Sequence, residues 1–448
     1  MSSSIYFDKG TLVVKGDVAV PHSVWDDRTR AYRAQALFYR DISEYFRRSR
    51  MYCRDDVQQL PPCPELKSKA TLRGYQARAL RRWEEAGRRG IVVLPTGAGK
   101  TLVGVKAMEA VNEPSLVVVP TLDLLDQWKK KLEDEFGVEV GTYGGGEDTL
   151  RALTVSTYDS AYLRAAELGN RFSLAVFDEV HHLAARSYRQ IGEMFTAPWR
   201  LGLTATYERE DMLHTELPRL TGGVVFRMAP GDLAGRFLSE YTLERRNVEL
   251  TEEEKESYDR DYSTFSDYVR RKRIWMRSPR DFQRFVMMAG SDPEARQALL
   301  ARNRAMGVAL NSEAKMKELE GILKESGQEK TIIFTQHNEL VYRISRRFLL
   351  PFITHTSGKE ERHEVLEGFR KGRFRAVVTS KVLDEGIDVP DASLGVIVSG
   401  TGSRREFVQR LGRLLRKREG KQARLIELVS RQTTEAKASF RRKRRLED

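Results

Sequence analysis

Residues Leu94-Pro95-Thr96-Gly97-Ala98-Gly99-Lys100-Thr101 carry the most specific chemistry in the chain. They follow a short apolar run and open an amphipathic stretch, the strand-to-helix junction that a phosphate loop requires. Thr96, Gly97 and Gly99 lie in the loop itself, where glycines let backbone amides turn inward around phosphate oxygens. Lys100 would set its ammonium against the β- and γ-phosphates, and Thr101 would offer its hydroxyl to Mg²⁺. The strict form of this loop has glycine where Leu94 stands, so this is a variant. A functionless Gly-rich turn has no need of Gly-Lys-Thr at such a junction.

A second run ends in Phe177-Asp178-Glu179-Val180-His181-His182. A carboxylate at the tip of a neighbouring parallel strand is where a Mg²⁺ partner belongs. Asp178 would hold the metal through water, and Glu179 would polarise an attacking water. An acidic pair at a strand end is commonplace alone. Downstream of a phosphate loop, it reads as the other half of a site for ATP and Mg²⁺. Further on, Gln409, Gly412, Arg413 and Arg416 fall on one helical face. Arginine forks onto phosphate oxygens, so Arg413 and Arg416 would reach a γ-phosphate once the domain carrying them closes on the loop.

These groups need a scaffold, and the sequence describes one. Short apolar runs at 91–94, 116–119, 153–155 and 174–177 alternate with amphipathic stretches such as 101–111 and 122–136. Such runs read as parallel strands buried on both faces, in βαβ units. The pattern returns at 331–334, 376–379, 396–398 and 424–428. Two parallel-sheet domains in tandem are therefore expected, at 69–240 and 312–448. Residues 1–68 form a small N-terminal α/β piece ending in Leu60-Pro61-Pro62-Cys63-Pro64, where prolines forbid a helix. Within it, an Arg- and aromatic-rich stretch from Arg28 to Arg54 reads as helical. Residues 245–305 show no strand-like run. They read as a helical insertion that begins acidic and turns basic at Arg270-Arg271-Lys272-Arg273.

The motifs in this order resemble those of superfamily-2 helicases, across nearly the whole of both sheet domains. That resemblance implies RecA-like folds for both. It makes Leu72-Arg73-Gly74-Tyr75-Gln76 the adenine-side motif, with Gln76 reading the base beside Arg73. It makes Leu203-Thr204-Ala205-Thr206 the segment linking ATP state to nucleic-acid grip. Segments ending at Thr121 and Thr157 would hold a strand by its phosphates, as would Thr379, ahead of Asp384-Glu385-Gly386-Ile387-Asp388. Gln409 to Arg416 matches the motif that brings Gln409 and two arginines to the nucleotide. Within the superfamily the chain is most similar to XPB-type DNA helicases in their compact archaeal form. Three features carry this: Asp178-Glu179-Val180-His181-His182, Arg209-Glu210-Asp211 just past the third motif, and an insertion where that family has a thumb-like element. The resemblance implies 3′–5′ movement, local opening of duplex DNA with help from Arg209, Glu210 and Asp211, and a role in nucleotide excision repair or transcription.

Composition agrees. The chain has 448 residues, 77 Lys and Arg against 64 Asp and Glu, and a net charge of +13. A basic balance favours an anionic partner, here DNA. Basic residues 270–273, set among Tyr262, Phe265, Tyr268 and Trp275, suit phosphates and unpaired bases, although such rings also serve as core. No apolar run approaches the roughly 20 residues that cross a bilayer. Two cysteines argue against a disulfide-built secreted protein and suit a reducing cytoplasm; they are too far apart for a zinc knuckle. A monomer is expected, with a nuclease or a repair or transcription protein as partner. The rival readings are a restriction-type DNA motor, an RNA helicase, and a non-catalytic DNA-binding scaffold. The scaffold reading sits badly with intact Lys100, Glu179 and Arg416.

Overall fold

The computed structural model describes residues 3–16, 18–209, 211–233, 240–276, 279–380, 392–399 and 422–436. They form two compact units, 1–232 and 233–448.

The first unit opens with a mixed sheet. Its strands are β1 (Ser3–Asp8), β2 (Thr11–Lys15), β3 (Val24–Asp26), β4 (Ala31–Gln35) and β5 (Cys53–Asp56), in the order β3-β4-β2-β1-β5. Helix α1 (Tyr39–Arg48) covers it with Ile42 and Phe46. The Arg28–Arg54 stretch is therefore helical only from a 3₁₀ turn at Ala36–Phe38 through α1. Ala31 and Ala34 are buried in β4, which pairs with β2 on one side and β3 on the other, so strand pairing takes the residues before α1. The proline linker is extended and held down: Leu66 N–H donates to Asn112 Oδ1 (2.7 Å) and Ser68 N–H to Glu109 Oε1 (3.0 Å).

The larger sheet contains β6 (Arg89–Val93), β7 (Ser115–Val119), β8 (Gly141–Gly144), β9 (Glu147–Asp148), β10 (Leu153–Thr157), β11 (Leu174–Asp178), β12 (Trp199–Thr204) and β13 (Val224–Arg227). Their order is β13-β6-β12-β11-β7-β10-β8-β9, parallel except for the β8–β9 hairpin. Every residue of β7, β10 and β11 is buried, because helices cover both faces and leave no polar side. Among these helices are α2 (Gly74–Glu85), α3 (Lys100–Val111), α4 (Leu122–Phe136), α5 (Tyr158–Leu163), α6 (Ala165–Leu168), α7 (Arg189–Met194) and α8 (Leu217–Thr221). Arg200 at the start of β12 is fully buried. Its guanidinium donates to the carbonyls of Gly192 (2.7 Å) and Leu220 (2.6 Å), in the last turns of α7 and α8, and to those of Phe195 (2.5 Å) and Ala197 (3.1 Å).

In the second unit, β14 (Glu240–Val248), β15 (Thr331–Phe334), β16 (Phe352–Ile353), β17 (Ala376–Thr379), β18 (Leu394–Ile397) and β19 (Gln422–Ser430) form an all-parallel sheet, ordered β14-β19-β18-β15-β17-β16. After α9 (Pro230–Leu233) come the helices α10 (Glu252–Arg271), α11 (Pro279–Met288), α12 (Pro293–Leu310), α13 (Glu313–Glu325), α14 (Asn338–Phe348) and α15 (Lys359–Arg370).

Helices α10 to α12 make the thumb-like insertion, which leaves the sheet after β14 and returns at α13. Thr251 and Glu254 cap α10 reciprocally, and Asp292 caps α12. Ala295, Ala298, Ala301, Ala305 and Ala309 give α12 a small-residue face, and Tyr258 and Tyr268 of α10 are buried in the two clusters it joins. The insertion's root is fastened to its own unit. Ser430 Oγ donates to the Ala309 carbonyl (2.7 Å), Thr434 N–H to Tyr258 Oη (2.9 Å), and Glu313 N–H to Glu254 Oε1 (2.6 Å).

Candidate nucleotide and nucleic-acid site

The chain leaves β6 at Val93, crosses Leu94–Gly99 and enters α3 at Lys100. Gly97 (φ 82°) and Gly99 (φ 75°) adopt the left-handed backbone that favours glycine. A side chain at 99 would also strike Gln76, since its Cβ would fall 2.4 Å from Nε2. Gln76 is 2% exposed and fully engaged: Nε2–H donates to the Ala98 carbonyl (2.9 Å), and Oε1 accepts from Arg73 N–H (2.8 Å). Tyr75 Oη–H also donates to the Ala98 carbonyl (2.7 Å). In this structure, then, the expected base-reading motif braces the loop.

The loop itself suits a polyphosphate. Thr96 Oγ1 is buried and has no partner among the described residues. Among the described residues, Lys100 Nζ reaches only the Leu94 carbonyl, at 3.4 Å. An oxyanion with a divalent cation would give both groups partners, with Thr101 at the first turn of α3 and Asp178 at the end of β11 as the metal's donors.

Asp178 is held by two donors from different elements. Glu179 N–H donates to Oδ1 (3.0 Å), and Trp128 Nε1–H of α4 to Oδ2 (2.8 Å). Burial, then the neighbouring Glu179, push its pKa up to about 6, against the pull of Lys100 and the Trp128 bond. The folded pKa thus lies above the ordinary 3.8. Stability from the neutral acid is fully present below that ordinary value and is lost as pH rises through about 6. Without nucleotide or metal, Asp178→Asn should gain about 2 kcal/mol over the parent between about pH 4 and pH 7. Denaturant melts of both proteins at the two pH values test this, and a constant difference refutes it.

Glu179 sits at φ 47°, a left-handed conformation costly for a side chain with a Cβ and often found at functional sites. Its Oε2 lies 3.2 Å from Thr204 Oγ1 and 3.5 Å from His181 Nδ1. Thr204 Oγ1 also stands 3.1 Å from His181 Nδ1 and 2.8 Å from the Thr206 carbonyl, and accepts from Thr206 N–H (3.1 Å). The Thr204 hydroxyl thus has two oxygen acceptors within reach, Glu179 Oε2 and the Thr206 carbonyl, with His181 Nδ1 beside it, which joins the acidic motif to the segment after β12.

Arg209 comes next along that segment. It is 18% exposed, forks onto Asp211 (2.9 and 2.6 Å) and donates from Nη1 to the His181 carbonyl (2.8 Å). This pairing holds the Asp211 carboxyl down at about 2. Thr121 and Thr157 are N-caps of α4 and α5, at the C-terminal ends of the adjacent strands β7 and β10. Thr379 is fully buried, and its hydroxyl donates to the Ser380 carbonyl (3.0 Å).

On the thumb, Arg270 lies 3.6 Å from Asp267, Arg271 pairs with Glu294, and Lys272 is 3.5 Å from Glu294. Arg273 has no ion pair among the described residues. Of the nearby rings, Tyr268 is core and Trp275 is 68% exposed. Glu210, the 384–388 segment, Gln409, Arg413 and Arg416 lie outside the described residues.

Sequence reasoning missed Trp128. Its helix reads Leu125, Trp128, Leu132, an ordinary core face, and only the fold shows that the indole meets Asp178. It also missed the brace from Gln76 to the loop, for which the sequence holds no signal.

A phosphate loop, a strand-end Asp-Glu pair and two parallel sheets define a superfamily-2 helicase-type ATPase. Comparison with known proteins narrows the class. Residues 5–57 match the Xeroderma pigmentosum group B helicase damage recognition domain, 69–209 the type III restriction enzyme res subunit, and 301–448 the ERCC3/RAD25/XPB C-terminal helicase. The chain is 44% identical over 431 residues to the DNA 3′-5′ translocase XPB2 of Sulfurisphaera tokodaii, covering 96% of this chain and 98% of that one. It is 29% identical to the DNA 3′-5′ helicase XPB of Mycobacterium tuberculosis, spanning 83% of this chain and 63% of the relative. The Pyrococcus furiosus Hef helicase domain shares the fold, with a TM-score of 0.54 at 19% identity over 83% of this chain and 98% of that one. The chain belongs to the XPB family of helicases.

Proposed function

We propose that this protein is an ATP-driven DNA translocase that moves 3′ to 5′ and opens duplex DNA locally, in nucleotide excision repair or transcription. The carrying observation is the pair Asp178–Glu179, held by Trp128, Thr204 and the Glu179 backbone beside a loop whose Lys100 and Thr96 lack strong partners among the described residues. The loop's backbone amides and Lys100 would bind the phosphates of ATP. Thr101 and Asp178 would hold Mg²⁺, which when bound offsets phosphate charge. Glu179 takes a proton from the attacking water at its carboxylate, and Thr204 keeps that carboxylate aimed. Arg413, Arg416 and Gln409 belong to the nucleotide in this reading.

DNA would lie against Thr121, Thr157 and Thr379 by its phosphates, and against the thumb at Arg270, Arg271, Lys272 and Arg273. Arg209, Glu210 and Asp211 would act where the duplex opens, and a strand engaging Arg209 must displace Asp211. Among the described residues no helix is long and apolar enough to cross a membrane. The two cysteines are free thiols, which suits a reducing compartment such as the cytoplasm, and the working form in this reading is a monomer. A nuclease or a repair or transcription protein would be its partner.

Steady-state ATP hydrolysis with no nucleic acid, forked DNA, duplex DNA, single-stranded DNA or RNA tests this reading, beside Lys100→Ala. Stimulation by DNA, strongest with forked or duplex substrate and absent in Lys100→Ala, is expected. Stimulation by RNA alone would overturn the substrate assignment, and hydrolysis surviving Lys100→Ala would overturn the site.

A further inference from the structure

A buried indole must place its N–H, and a core tryptophan commonly gives it to a backbone carbonyl. Trp83 does so here, donating to the Arg200 carbonyl at 2.9 Å. Trp128 does not. It is 1% exposed, and its N–H goes to Oδ2 of Asp178. Its ring lies over α3, where Gly104 leaves room. A Cβ at 104 would come within 2.7 Å of the indole and 3.4 Å of Leu203, the residue before Thr204. One side chain of α4 therefore touches the phosphate-loop helix and the strand-end carboxylate, and packs beside β12.

We propose that Trp128 is a positioning residue that fixes the aim of the Asp178 carboxylate toward magnesium and ties it to α4, the helix capped by Thr121. A carboxylate turns readily about its last torsion. Glu179 N–H alone would leave Asp178 one fixed oxygen and freedom to pivot. The second donor, from another element and in a dry interior, sets its plane. The tie to α4 rests on the proposed function, because Thr121 is assigned there to a DNA phosphate. A strand that moves α4 then moves the donor on Oδ2.

Trp128→Phe keeps most of the ring and removes the donor. Calorimetric ADP binding should show unchanged affinity without metal. The gain in affinity on adding Mg²⁺ should fall about tenfold, as expected for loss of a hydrogen bond to a charged group. Duplex DNA should alter MgADP affinity less in this variant than in the parent. Gly104→Ala presses on the indole from the opposite side and should reproduce both effects. In the unaltered chain, the indole N–H resonance that Trp128→Phe removes should shift when Mg²⁺ joins the ADP complex. A full Mg²⁺-dependent gain in both variants, or an unmoved resonance, overturns the inference. A purely packing role would lower the melting temperature and leave the Mg²⁺-dependent gain intact. If the parent shows DNA-stimulated hydrolysis and the gain survives in the variants, this inference alone fails; if the stimulation is absent, the functional reading fails first.

Discussion

Arg200→Leu is expected to destabilise the first unit by about 4 kcal/mol, a drop in melting temperature of roughly 10 °C. Arg200 is buried with no carboxylate partner among the described residues, and four carbonyls hold its charge. Burial, with Arg89 and Arg219 nearby, pushes its pKa well below the usual arginine range. Two opposed terms decide the outcome. Removing the guanidinium relieves the cost of burying a charge. It also strands four acceptors, two of them at helix ends that have no partner within their own helix. Each stranded acceptor costs about 1–3 kcal/mol. The lower figure for all four gives the expected loss, since the relieved burial offsets anything larger. Arg200→Lys should fare little better, because one ammonium cannot reproduce a planar fork aimed at several carbonyls. Thermal unfolding of both variants checks this, and a leucine variant as stable as the parent would refute it.

Lys315→Met is expected to destabilise the second unit by about 3–5 kcal/mol, the range for breaking a buried ion pair by removing one partner. Lys315 is fully buried; its Nζ lies 2.8 Å from each Glu435 carboxylate oxygen and donates to the Val398 carbonyl at 2.8 Å. Glu435 Oε2 also accepts from Ser430 N–H (3.0 Å). Burial already pushes the Glu435 carboxyl up, and Lys315 is the main restraint on that rise. Without the lysine the carboxyl rises further, so the folded variant binds its proton more tightly than the unfolded chain does. The variant's deficit should therefore shrink as pH falls and grow as pH rises. Adding Glu435→Leu should restore most of the lost stability, because no charge is left alone. Denaturant melts of the single and double variants at acid and neutral pH decide this. A double variant no better than the single one counts against the pair as the cause.

The phosphate loop, the Asp178–Glu179 pair and the parallel strands around them were legible because burial on both faces forces unbroken apolar runs, and the chemistry follows those runs directly. Strand β14 was not legible. Arg245 and Arg246 read as the start of the helical insertion, yet β14 pairs with β19 along its whole length, and Arg246 is matched by Glu244, Glu318 and Glu325 at the sheet's edge. Arg200 and Lys315 were illegible for the opposite reason. Charge predicts surface, and only the completed fold supplies the carbonyls and the carboxylate that let them lie inside. Trp128 and Gln76 fall between these cases: their residue types agree with their elements, but their partners come from distant parts of the sequence.

The thumb's two roots have a consequence for how stroke length is set. Because the insertion leaves from β14 and returns to α13 of the same sheet, it is a limb of the second unit and has no joint of its own at that base. It is therefore expected to move with that unit as a lever arm rather than swing as a flap. Helix α10 has 20 residues and so spans about 30 Å. A turn of about ten degrees carries the far end of such an arm about 5 Å, more than the ~3.4 Å axial rise per nucleotide of a DNA duplex. Lengthening or trimming α10 and α12 by matched turns alters that gearing without touching a residue of the nucleotide site.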